Sequence, residues 1–66
     1  MEYTRDGLVE ARRQIDSTLR KLRETVKTLR GKENPERYKS QITLAERRIW
    51  AFELANFLIE REIDDM

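Results

Sequence analysis

The residues with the clearest chemical potential are three glutamates at intervals of seven residues, Glu46, Glu53 and Glu60. Grouped carboxylates could serve general acid catalysis or a carboxylate metal centre. The chain has no His and no Cys, however, so it lacks the Glu-x-x-His pairs of di-iron bundles and the usual zinc ligands. Intervals of seven are also typical of solvated charges along a coiled-coil edge. We therefore predict no metal site.

The residue combinations that nucleophilic catalysis usually needs are absent as well. Ser17 and Ser40 have no His to activate them, and the sequence contains no glycine-rich loop that could cradle a phosphate. The sequence therefore predicts a protein that is not an enzyme, with no catalytic residue and no cofactor.

A basic stripe of Arg13, Arg20 and Lys27 also has intervals of seven residues. Such a stripe could contact phosphates or an acidic partner, and a dimer would double it. The formal net charge of the chain is only +1, and no aromatic side chain lies in the stripe to stack on a base. A solvated helix face is the favoured interpretation, and nucleic-acid binding is kept as the alternative.

Two helices joined by a short turn are predicted to position these side chains. The first should span about residues 5–30 and the second about residues 35–63, with a turn at 31–34 and a frayed acidic tail at 64–66. Helices joined by so short a turn are antiparallel neighbours. The whole chain is therefore predicted to be one all-α hairpin domain, residues 1–66.

The predicted boundaries depend on residues that cap helices. An N-cap oxygen for the unpaired N–H groups of the first turn is predicted between Thr4 and Asp6. Gly31 favours a left-handed backbone at the end of the first helix. Asn34 then serves as the next N-cap, with Pro35 at the first helical position.

Each helix carries one narrow apolar seam with steps of three and four residues, which is the pattern of a coiled coil. The seams consist of Leu8, Ile15, Leu19, Leu22, Val26 and Leu29, and of Tyr38, Ile42, Ala45, Ile49, Phe52, Ile59 and Ile63.

Arg12 and Asn56 interrupt the two seams, and folding at the turn places both of them in one layer. Polar seam residues lower stability but fix register and partner number. We assign them this role in a polar core layer; the alternative is an internal site in which Arg12 binds a carboxylate or phosphate.

A second apolar set on the second helix predicts self-association. So short a chain seldom buries enough apolar surface to fold alone, and no disulfide can supply the deficit. The set lies outside the seam and consists of Leu44, Trp50, Ala51, Leu54, Ala55, Phe57 and Leu58. We predict that this surplus is an oligomer interface, and that two hairpins form a homodimer resembling a four-helix bundle.

The functional prediction is a small helical interaction protein that acts as a homodimer and binds another macromolecule. One alternative is a nucleic-acid-binding regulator that uses the basic stripe. A second is a subunit of a heteromeric complex, in which a different protein covers the second apolar set. No run approaches the roughly 18–20 apolar residues of a membrane span, so a cytoplasmic location is expected.

Overall fold

The computed structural model describes all 66 residues and confirms an all-α hairpin of two antiparallel helices. Helix α1 spans Arg5–Arg30, a 3₁₀ turn spans Pro35–Tyr38, and helix α2 spans Lys39–Asp65. The two helices pack along their length in a rod whose Cα atoms extend over 48 × 18 × 15 Å. Neither helix is long and apolar enough to cross a membrane.

The start of α1 is capped by Thr4, which lies within the predicted stretch from Thr4 to Asp6. Thr4 has an extended backbone, and its Oγ1 accepts a hydrogen bond of 3.0 Å from the N–H of Gly7. The carbonyl of Thr4 accepts a second bond of 3.0 Å from the N–H of Leu8. The bond to Thr4 Oγ1 satisfies the N–H of Gly7, which has no backbone partner in the helix, and the bond from Leu8 is the first backbone bond of the helix.

The connection between the helices differs in detail from the prediction. Gly31 is right-handed, with φ −82° and ψ −4°, because the chain continues in a right-handed turn in which the N–H of Lys32 bonds to the carbonyl of Leu29 at 3.3 Å. Asn34 makes no side-chain cap; its backbone carbonyl accepts from the N–H of Arg37 at 3.1 Å instead. The predicted left-handed cap and the predicted Asn34 side-chain cap are therefore wrong.

Helix α2 also has different ends from those predicted. The chain enters it through the 3₁₀ turn that begins at Pro35, so α-helical bonding starts only at Lys39. At the other end the helix continues to Asp65, and the N–H of Met66 bonds to the carbonyl of Ile63 at 3.2 Å. Fraying of residues 64–66 stays a prediction.

The predicted seams face each other between the helices. Every seam residue is buried or half-buried. Only Leu19, Leu29, Ile42 and Ala45 are buried, with exposed fractions of 4–9%. The hairpin thus has a line of contact rather than an enclosed core, because one helix can cover only one side of another.

The cap at Thr4 gives a test of this fold. Thr4→Ala removes the oxygen that bonds to Gly7 and should lower the free energy of unfolding by about 1 kcal/mol in urea denaturation. The control is Thr4→Ser, which keeps the hydroxyl and should stay close to the wild type. Equal losses in both variants would contradict the capping role.

Candidate interaction interface

The side of α2 that faces away from α1 is strongly apolar and open to solvent. We call it the outer face and define it by Leu44, Trp50, Ala51, Leu54, Phe57 and Leu58. Its large side chains are 42–68% exposed, and Trp50 is the most exposed of them. Ala51 is also exposed, whereas Ala55 is half-buried. The hairpin therefore leaves the second apolar set without an intramolecular partner.

The outer face has the spacing of a second seam. Trp50, Leu54 and Phe57 follow steps of four and three residues, and the same spacing continues to Arg47 on one side and Arg61 on the other. Arg61 lies over Phe57, with its guanidinium carbon 5.8 Å from the ring centroid. Such spacing suits packing against another helix, and charged residues mark both ends of the apolar stretch.

A row of ion pairs runs along one edge of the hairpin. Each of the three glutamates at intervals of seven is paired with an arginine of α1, instead of being free in solvent as the sequence suggested. The pairs are Arg30–Glu46 at 3.0 Å, Arg23–Glu53 at 3.3 Å and Arg12–Glu60 at 3.4 Å. Both members of every pair are about 40–60% exposed, so each pair contributes at most about 1 kcal/mol.

Arg12 and Asn56 belong to a single polar cluster, but each has its own partner. The side-chain amide of Asn56 donates to Asp16 at 2.7 Å, and Arg12 pairs with Glu60. No hydrogen bond joins Arg12 to Asn56. The Oδ1 atom of Asn56 is buried and has no hydrogen-bond partner.

The partners lie one helical turn beyond the predicted layer for a geometric reason. Side chains of an α-helix lean toward its N-terminus, so those of two antiparallel helices lean in opposite directions. A long side chain such as Arg12 therefore meets a partner farther along the other helix than the backbone level suggests. Asn56 and Asp16 are short, so their bond at 2.7 Å indicates that the helices themselves are also displaced from the predicted layer. The sequence analysis did not predict that Asp16, Arg23 and Arg30 pair with residues of α2. Their intervals of seven residues match those of the three glutamates.

Only part of the basic stripe on α1 is free to contact another molecule. Arg13 makes two hydrogen bonds of 3.0 and 2.9 Å to Glu10, and Gln14 donates to the same carboxylate. The bonds from Arg13, and then that from Gln14, hold the pKa of Glu10 below its ordinary value. Arg20 and Lys27 are exposed and form no ion pair.

The N-terminal segment is tied to the far end of α2 by one side-chain bond. The hydroxyl of Tyr3 donates to Glu62 at 2.8 Å. This hydrogen bond, together with the negative charge of Glu62, raises the pKa of Tyr3. The contact closes the open end of the hairpin, opposite the turn.

Comparison with known proteins gives no match to this chain, whether with protein-family models, with curated proteins or with solved structures. No group of three or more His, Cys, Asp or Glu side chains is arranged to hold a metal ion. The outer face of α2 is the feature of the molecule with the clearest capacity for binding.

The unpartnered oxygen of Asn56 gives a second test. Asn56→Leu removes a buried acceptor and extends the apolar seam, so the free energy of unfolding should rise by about 1 kcal/mol. Asp16→Ala is the matched control: it leaves the amide of Asn56 without a partner and should lower the same quantity. Both are measured by urea denaturation at one protein concentration. A destabilised Asn56→Leu variant would contradict this assignment.

Proposed function

We propose that this chain is a non-enzymatic helical interaction protein that forms a homodimer through the outer face of α2 and binds another macromolecule. The observation that carries the proposal is the continuous apolar surface from Trp50 to Leu58, which the hairpin leaves open. A surface of this kind usually marks an interface.

The energetic argument compares what one hairpin buries with what it leaves exposed. A single chain buries only four residues, whereas five large apolar side chains on the outer face keep about half of their surface in water. Covering the exposed part of those five side chains would contribute on the order of 5 kcal/mol per chain. That contribution is comparable with the whole stability of a small domain.

A second copy of the hairpin is the simplest occupant of the outer face. Packing α2 against α2 would bury both apolar surfaces at once and bring four helices together, with the two α2 helices at the centre. The α1 helices would lie on the outside of this dimer. Their exposed side chains there are charged or polar, among them Glu10, Arg20, Glu24 and Lys27, and they form the surface that remains for another macromolecule.

Trp50→Glu tests the dimer. A carboxylate at the centre of a buried interface should weaken self-association by at least about 100-fold, so that the mass at micromolar concentration falls to that of one chain. Sedimentation equilibrium gives the mass, and circular dichroism gives the helicity. The matched control is Gln41→Glu, which makes the same charge change on an exposed position of α2 outside the outer face.

Three results would contradict the proposed homodimer. One is a wild-type chain that is a stable, fully helical monomer. Another is a Trp50→Glu variant that keeps the mass and helicity of the wild type. The third is a wild-type monomer that is weakly helical or aggregates, which would instead favour the heteromeric alternative, with a different protein on the outer face.

A second candidate function is nucleic-acid binding by the basic stripe. The observation in its favour is that Arg20 and Lys27 are exposed and without an ion pair. A dimer would present two copies of each. Arg13 contributes less, because its guanidinium is already bonded to Glu10.

Salt dependence distinguishes this candidate from binding to a protein. If the stripe contacts phosphates, affinity for a duplex or single-stranded oligonucleotide should fall steeply with salt in a fluorescence anisotropy titration, and a triple Arg13→Glu, Arg20→Glu, Lys27→Glu variant should lose it. Exchanging arginines outside the stripe, with Arg37→Glu and Arg48→Glu, provides the control. Nucleic-acid binding is rejected if the wild type does not bind the oligonucleotide at low salt. It is also rejected if the triple variant keeps the wild-type affinity.

A further inference from the structure

An arginine flanks the outer face at each end, but carboxylates at Asp64 and Asp65 follow only at the C-terminal end, and this asymmetry bears on how two copies would pack. The apolar stretch is preceded by Arg47 and followed by Arg61, and the helix then ends at Asp64 and Asp65. On a helix of 3.6 residues per turn, Asp65 lies on the same side as Leu54 and Arg47. One end of the outer face is therefore basic, and the other ends in carboxylates.

We propose that the two copies of α2 pack antiparallel, so that Arg47 of each copy meets Asp65 of the other. This inference rests on the homodimer proposed above and specifies its geometry. The two-fold axis then crosses the helices near the middle of the outer face, between Leu54 and Phe57. Each pairing occurs twice, as a two-fold interface requires.

A parallel dimer would place every outer-face residue opposite its own copy. Arg47 would face Arg47, Arg61 would face Arg61, and Asp65 would face Asp65. Like charges held opposite each other repel, and the repulsion grows when an apolar interface removes water from between them. The antiparallel arrangement avoids all three of these contacts.

The antiparallel arrangement also provides a partner for every residue of the outer-face seam. With Leu54 against Phe57 of the second copy, the same steps of three and four bring Trp50 against Arg61 of that copy. An arginine over the face of a tryptophan is a favourable contact, and Arg61 already lies over an aromatic ring, that of Phe57, within its own chain. Arg47 then reaches the level of Asp64 and lies within one residue, about 1.5 Å along the axis, of the level of Asp65.

Cysteine cross-linking tests the orientation, because the chain has no Cys of its own. In the antiparallel dimer, an equimolar mixture of Arg47→Cys and Asp65→Cys should oxidise to mixed disulfides, and each variant alone should not form a disulfide dimer. Residues 47 and 65 lie about 27 Å apart along one helix. A disulfide needs Cα atoms within about 7 Å, so a parallel dimer gives the reverse pattern. Mass spectrometry identifies the products.

A charge exchange gives a second, reversible measurement. Arg47→Asp alone and Asp65→Arg alone should each weaken dimerisation about two- to tenfold in sedimentation equilibrium, and the double variant should recover most of the loss. The two positions are too far apart within one chain to compensate for each other, so recovery must come through the second copy. Glu33→Arg, in the turn, serves as the control and should leave dimerisation unchanged.

The outcomes separate this inference from the proposal beneath it. Wild-type chain that sediments as a monomer overturns both. A dimer that forms only the homodisulfides, or no disulfide in any mixture, overturns the antiparallel register and leaves the homodimer standing. Mixed disulfides together with recovery in the double variant support the register.

Discussion

Two helices packed side by side have a line of contact and no interior, and the rest of this structure follows from that constraint. Each helix presents one narrow seam, so only Leu19, Leu29, Ile42 and Ala45 become buried. The hydrophobic effect therefore has little surface on which to act within one chain. The outer face of α2, with Trp50 as its most exposed side chain, is the apolar surface that the hairpin leaves uncovered.

Polar contacts in the hairpin specify its alignment more than they stabilise it. The three Arg–Glu pairs lie along one edge and are about half exposed, so solvent screens most of their attraction. Their value is geometric, because a slip of one turn between the helices would separate all of them together. The bond from Asn56 to Asp16 adds a shorter contact to the same alignment.

The sequence predicts this fold well where one physical effect dominates. The steps of three and four residues identify all seam residues, because burial against a single partner helix requires one face. The sequence places the first cap between Thr4 and Asp6, because side-chain oxygens there can accept from the first turn; the structure then selects Thr4. These features depend on local spacing alone.

The conformation of Gly31, the partners of Arg12 and Asn56 and the occupant of the outer face depend on interactions that residue spacing does not reveal. Gly31 stays right-handed because the next N–H, that of Lys32, bonds back to the carbonyl of Leu29, and nothing in the sequence reveals that bond. The partners of Arg12 and Asn56 depend on the direction in which side chains lean, which backbone register alone does not include. For the outer face, spacing identifies the apolar residues but not the molecule that covers them.

In the proposed homodimer, the shortage of buried residues in one chain would link its folding to its abundance. When most of the burial comes from a second copy, stability rises with protomer concentration by mass action. A dilute pool of chains would then contain a larger unfolded fraction, which cellular proteases remove. The rate of synthesis would in this way set a threshold: below it the chains are degraded singly, and above it they accumulate as assembled protein.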